Sequence, residues 1–182
     1  MRIAVLGARG QLGAAVVHAG RLRHEVVPLD REALDIGDAA AVHAAVARIR
    51  PDAVINCAAY NAVDRAETCA ADAMRINAIA VRSIVRAVGG AAFVHYGSDF
   101  VFDGTTDRPY RETDPANPVS VYGMSKLLGE WFATDAPRGY VLRVESLFGR
   151  APDAAPAKGS IATIVEALRS GRRSEERRVG KE

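Results

Sequence analysis

Short apolar runs and longer stretches with apolar residues at helical spacing alternate along this chain from its first residues onward. The short runs are Arg2–Leu6, Glu25–Leu29, Ala53–Cys57, Ala92–Tyr96 and Gly139–Val144, each about the length of a buried strand. Between them the pattern predicts helices over Gln11–His18, Ala39–Ile49, Cys69–Val88 and Val121–Thr134, with one more over Ser160–Arg169. Pro51-Asp52 and Gly89-Gly90 stand where helices must stop before strands. Strand-helix alternation of this kind predicts an α/β domain with a parallel, doubly wound sheet and crossover helices. Residues 103–118 break the rhythm. They are polar, contain Gly104, Pro109, Pro115 and Pro118, and read as a long loop of the sort that often serves function. No internal repeat is present.

Composition adds little beyond exclusions. The 182 residues are one domain's worth, with 49% hydrophobic and 25% charged residues. A net charge of +2 gives no reason to expect nucleic acid, and no apolar run is long enough for a signal peptide or a membrane span. Cys57 and Cys69 lack metal-like spacing, and His18, His24, His43 and His95 form no ligand cluster, so no metal site is expected. Cys57, inside an apolar run, reads as a buried reduced thiol. A cytoplasmic protein is the default expectation.

The candidate chemistry begins where the first strand ends. Gly7-Ala-Arg-Gly10-Gln-Leu-Gly13 follows an apolar run and opens a helix, the context a dinucleotide cradle requires. Gly7 permits the tight turn, Gly10 lets backbone approach a pyrophosphate, and Gly13 allows close helix-strand packing. The helix N-terminus from Gln11 offers its N–H groups to phosphate. Asp30 ends the second strand, where a carboxylate can bond a ribose 2′-hydroxyl, although a strand-end turn residue would look the same. Arg31 beside it could hold a 2′-phosphate, so NADPH or NADH is the expected cofactor. Asp35-Ile36 falls where adenine should lie, and Ala58-Ala59-Tyr60 should pass beside the cofactor.

A second group of residues suits carbonyl reduction. Tyr122-Gly-Met-Ser-Lys126 places a phenol and an ammonium one helical turn apart on one face. A phenol with its ordinary pKa near 10 is a sluggish donor at neutral pH, and a nearby ammonium is expected to favour the phenolate. Ser98, at the end of the fourth apolar run, could bond and polarise a ketone oxygen. Asn77, in a predicted helix interior, reads equally as a scaffold or a surface residue. Glu130 and Trp131 read as packing or solvent-facing.

The order of these motifs resembles dTDP-4-dehydrorhamnose reductase. The likeness rests on Gly10-Gln-Leu-Gly13, Leu29-Asp-Arg31 with Leu34-Asp-Ile36, Pro51-Asp-Ala-Val-Ile-Asn-Cys-Ala-Ala59, Ala62-Val-Asp-Arg-Ala-Glu67, Val101-Phe-Asp-Gly104 and Tyr122-Gly-Met-Ser-Lys126. It runs through residues 1–172. The Gly-x-x-Gly-x-x-Gly spacing is likewise similar to that of the extended short-chain dehydrogenase/reductases. The resemblance implies a Rossmann-type fold and reduction of the C4 ketone of dTDP-4-dehydro-L-rhamnose to dTDP-L-rhamnose with NAD(P)H. It implies that Gly10, Gln11, Leu12, Asp30, Asp35, Ile36, Ala58, Ala59 and Tyr60 touch the cofactor. It implies a Ser98, Tyr122, Lys126 triad with Asp99 beside the sugar. Two departures stand out. The family usually reads Ser-Thr-Asp-Tyr where this chain has Gly97-Ser-Asp-Phe100, which keeps the hydroxyl. After the next strand it commonly carries a tryptophan near the sugar, where Arg143-Val-Glu-Ser-Leu-Phe-Gly149 offers Ser146.

Two other readings share the fold. A sugar-nucleotide epimerase would use the same Tyr/Lys pair, whereas a dehydratase would want a second carboxylate where Phe100 stands. The regulatory β subunit of methionine adenosyltransferase is similar to the family, binds NADP and acts through a partner. A nucleotide-sugar substrate is the expected partner; nucleic acid and membrane are not, and a homodimer is left open. Residues 1–172 are therefore expected to form a dinucleotide-binding domain. Arg173-Ser-Glu-Glu-Arg-Arg-Val-Gly-Lys-Glu182 matches, codon for codon, the translation of a widely used sequencing adapter, AGATCGGAAGAGCGTCGTGTAGGGAAAGAG, and is read as an artefact. On that reading the native sequence continues after Arg172 and most of a small substrate domain is missing.

Overall fold

The computed structural model describes residues 1–149 and 160–170, with side chains described from 164 in the last segment. The tail expected at 173–182 lies outside the described residues.

Five parallel strands form one sheet in the order β2-β1-β3-β4-β5, with β1 at Arg2–Leu6, β2 at Glu25–Leu29, β3 at Ala53–Asn56, β4 at Ala92–Ser98 and β5 at Gly139–Val144. Crossovers are α1 (Gln11–Gly20), α2 (Ala39–Ile49), α5 (Ala80–Val88) and α6 (Val121–Thr134), while the short α3 (Val63–Ala66) and α4 (Ala70–Met74) precede α5; α7 (Ser160–Arg169) follows β5. This is the doubly wound Rossmann-type arrangement that the alternation predicts. The chain leaves β1 toward β2 on one side and enters β3 on the other, so the sheet's switch point lies between β1 and β3.

Side-chain alternation along the strands sends residues to two faces. Ala4, Leu6, Val54 and Phe93 pack with Val42, Ile49, Val81 and Ile84 beneath α2 and α5, with Ala133 of α6 in the same core. Ile3, Val5, Ala53 and Ala92 turn the other way against Val17 of α1. On β5 the residues of that second face, Tyr140 and Leu142, are 54% and 47% exposed.

The helix starts have local causes. Asp38 caps α2 by accepting from Ala41 N, and Ser120 caps α6 by accepting from Gly123 N. The expected single helix over Cys69–Val88 is instead three pieces, because a π-helical turn at Arg75–Ile79 separates α4 from α5. β4 also runs two residues further than expected, carrying Ser98 to its very end before a 3₁₀ turn at Asp99–Val101.

Candidate functional site

The glycine turn behaves as its residues require. Gly7 sits at φ +72°, and a Cβ there would meet the backbone of Ala58 at 2.7 Å from its nitrogen. Only glycine lets the β1 and β3 ends come this close. A Cβ on Gly13 would collide with the Gly7 carbonyl oxygen, so Gly13 acts from behind, seating α1 against the turn. Above the turn opens a cleft of about 540 Å³ at the switch point. Gly7, Gly10, Asp30, Arg31, Asp35, Ile36, Ala58, Ala59 and Tyr60 all line it. Gln11, Leu12 and Gly13 do not; they form the first turn of α1, and Gln11 Nε2 donates to Leu147 O at 3.2 Å.

Asp30 is a strand-end turn residue that stands at the cleft. Its Oδ1 accepts from Glu32 N and Ala33 N, as a turn residue would, while the side chain lines the cleft. Its Oδ2 lies 3.0 Å from Arg9 Nε, and Arg9 Nη1 reaches Glu32 at 3.3 Å. Arg9, together with Asn61, Arg65, Asp72, Arg75 and Ile76, lines the cleft without having been singled out. Arg9 stands inside the glycine motif, so its place was readable; the others reach the cleft only through tertiary folding.

Two buried asparagines hold the cleft's second wall. Asn56 Oδ1 accepts from Ala58 N, and Asn77, in the π-helical turn, accepts from Tyr60 N at 2.8 Å and donates to Tyr60 O at 3.0 Å. Asn77 also donates to Ser125 Oγ, whose hydroxyl bonds Tyr122 O. Asn77 is thus a scaffold residue joining the cleft to α6. Cys57 was expected as a buried reduced thiol; it is free and half-buried in the cleft lining, and burial pushes its thiol up to about 12.

Ser98, Tyr122 and Lys126 come together beside the cleft rather than within its lining. All three are buried, at 5%, 8% and 3% exposure. Tyr60 joins the two places, lining the cleft while packing in the small cluster that contains Tyr122. Ser98 Oγ donates to Asp99 Oδ1 at 3.1 Å and accepts from Phe100 N, and the Phe100 ring meets Tyr122 edge-on at 5.5 Å. Burial pushes the Tyr122 phenol above its ordinary value of 10, opposed by a hydrogen bond with Ser98 and aided by the charge of Asp99. Lys126 Nζ donates to Tyr96 O at 2.6 Å, and burial lowers its pKa to about 8 against the raising charge of Glu130. This differs from the expected lysine-favoured phenolate: the ammonium is engaged by the β4 backbone, and desolvation dominates at the phenol. The hydroxyl is therefore held protonated. Trp131 is 60% exposed, whereas Glu130 is buried and paired with Arg143.

The family model of the RmlD substrate binding domain matches residues 1–172. The chain belongs to that family. Among its relatives, a dTDP-4-dehydrorhamnose reductase of Burkholderia thailandensis is 46% identical over 132 residues, 71% of this chain and 44% of that protein. A dTDP-4-keto-6-deoxy-D-glucose reductase of Streptomyces niveus is 36% identical over 151 residues, 80% of this chain and 52% of that protein. The crystal structure of the dTDP-4-dehydrorhamnose reductase of Bacillus anthracis in complex with NADP superposes with a TM-score of 0.86 at 32% identity, covering 93% of this chain and 60% of that one. This RmlD-family chain thus spans about half the length of the curated relatives it matches. Among the described residues no helix is long and apolar enough to cross a membrane, and no group of His, Cys, Asp and Glu could hold a metal ion.

Proposed function

We propose that this protein reduces the ketone of a nucleotide-linked sugar with NADPH or NADH, with the C4 ketone of dTDP-4-dehydro-L-rhamnose as the leading substrate. One observation carries the proposal: the buried hydroxyls of Ser98 and Tyr122 adjoin, with Lys126 one helical turn on, beside a glycine-walled cleft that shares Tyr60 with them. The cleft suits a dinucleotide, because Gly7 and Gly10 leave backbone without side chains at a helix N-terminus, and acidic and basic groups stand at the β2 end. Gly7, Gly10 and the first turn of α1 would hold the pyrophosphate. Asp30 with Arg9 and Arg31 would meet the adenosine ribose, and Asp35 and Ile36 the adenine. When bound, the reduced nicotinamide supplies the hydride.

The chain's own residues supply the rest. Ser98 Oγ trades its bond to Asp99 for one to the ketone oxygen, polarising it. Tyr122, held neutral by burial, gives its hydroxyl proton to that oxygen as negative charge develops. Lys126 keeps a positive charge near the vacated phenolate. Asp99 lies beside the sugar. The relatives' names include reductases of two different 4-keto sugars, and Ser146 stands where the family commonly has a tryptophan, so the sugar itself is the finer part of the proposal. We take residues 1–172 as the dinucleotide-binding unit and the cytoplasm as its place. A second copy of the chain is the partner proposed for the outer face of α6, where Met124 and Trp131, two turns apart, are exposed.

Tyr122→Phe tests the assignment. In a version carrying the full family length, the variant keeps dinucleotide affinity and loses turnover of a keto-sugar nucleotide by about two to four orders of magnitude. Turnover within a few-fold of the parent would remove Tyr122 as the proton donor.

A further inference from the structure

Behind the Ser98–Tyr122 pair, α6 carries a third buried polar residue on the same stripe. Tyr122, Lys126 and Glu130 follow at intervals of four, and Glu130 is 3% exposed. Its carboxylate occupies space that a side chain at position 97 would fill, since a Cβ on Gly97 would collide with Glu130 Oε1. Arg143, the β5 residue paired in register with Gly97, grips the other oxygen: Nε and Nη2 each lie 2.9 Å from Oε2. The guanidinium is fixed on its far side too, 5.0 Å over the Phe102 ring, which stacks on Tyr110 at 4.1 Å. Tyr110 in turn donates to Asp103 at the start of the 103–118 loop. Glu130 Oε1, however, has no hydrogen-bond partner among the described residues. A two-point arginine clamp on one oxygen with the other left bare is a costly arrangement for an ion pair that only joins α6 to β5.

We propose that Glu130 is a positioning residue for Lys126: its clamped carboxylate holds the lysine in its charged form at the end of β4. This rests on the reading of Lys126 as a group of the reacting site, although its test does not require turnover. The other groups of this region offer no substitute: Arg82 of α5, over the Phe132 ring of α6, is a cation, and Asp64 of α3 and Asp72 of α4 are exposed. From β4, His95 is neutral and the Tyr96 phenol is pushed up; from β3, the Cys57 thiol is pushed up; from α6 itself, Tyr122 is neutral. From β5, Arg143 is already paired, and from the π-helical turn Asn77 is uncharged. Asp99, in the 3₁₀ turn, is exposed and bonded by Ser98, and Glu67 accepts from Val121 N at the far end of α6. Glu130 is the buried carboxylate of this neighbourhood. The burial that lowers Lys126 to about 8 is opposed by that one charge.

Lysine is scarce here, only Lys126, Lys158 and Lys181, so ¹³Cε-lysine labelling gives three signals, with Lys126 assigned from Lys126→Met. Glu130→Gln keeps an oxygen for Arg143 and removes the charge. The expected result is a fall of the Lys126 titration midpoint by on the order of one pH unit, with the amide spectrum retained. An unmoved midpoint in the folded variant overturns the proposal. Should E130Q not fold, the unsubstituted chain decides: the Glu130 carboxyl carbon shows an inflection at the Lys126 midpoint that vanishes in Lys126→Met. A flat Glu130 signal through that pH range overturns it equally.

Discussion

His95 illustrates how much a single buried side chain can control. Its Nδ1 lies 3.2 Å from Asn56 Nδ2, and because Asn56 spends its oxygen on Ala58 N, the amide must donate to the ring. The ring proton therefore sits on Nε2, which has no partner among the described residues. Burial first and the charge of Lys126 second push His95 down to about 3 from an ordinary 6.5. Above pH 6.5 the ring is neutral folded or unfolded. Between 6.5 and 3 only the unfolded chain takes up the proton, so stability is lost as pH falls through that window. The expected loss from this residue is on the order of 3 kcal/mol between pH 6.5 and 4. His95→Gln, which keeps an acceptor for Asn56, flattens the acid limb of urea-midpoint against pH; a limb of unchanged slope would mean that other groups carry it. Lys126 acts in a separate window. Its folded pKa of about 8 lies below the ordinary 10.5, so the cost of its buried charge is present below 8 and relieved between 8 and 10.5.

At the scale of elements, the π-helical turn between α4 and α5 is the least expected feature and the most consequential. The buried positions Ala73, Asn77, Val81, Ile84 and Val88 recur every three or four residues straight through the turn, so periodicity did not distinguish it from continuous helix. What the turn achieves is visible only across elements. It delivers Asn77 to both backbone groups of Tyr60 and to Ser125, and Gly129 of α6 has no side chain because the Asn77 carbonyl oxygen occupies that space. Asn77→Ala strands the Tyr60 N–H and C=O and is expected to cost about 2–4 kcal/mol. Chemical denaturation measures that loss, and dinucleotide titration shows weaker binding as the Tyr60 wall loosens. A variant as stable as the parent would show that Tyr60 is held by other contacts.

For the whole molecule, five parallel strands bring the Gly7 turn and the Ala58–Tyr60 wall to one switch point, so a dinucleotide should bind the folded state alone. At a hundredfold excess over its dissociation constant such a ligand stabilises by about 2.7 kcal/mol, a rise of about 7 °C in thermal midpoint for a domain of this size. Gly13→Val, which drives a side chain into the Gly7 carbonyl, should abolish that increment; an NADPH-independent midpoint in the unsubstituted chain would count against the cleft as the cofactor site. The five strands, the starts of α1, α2, α6 and α7 and the glycine turn after β1 were legible in the sequence, because period and turn chemistry act between near neighbours. The strand order, the Arg9–Asp30 pair, the Asn77 clamp and the Glu130–Arg143 pair were settled only in three dimensions. Each joins residues 13 or more positions apart, and which distant polar groups meet depends on how packed layers exclude water, a property that no local pattern encodes.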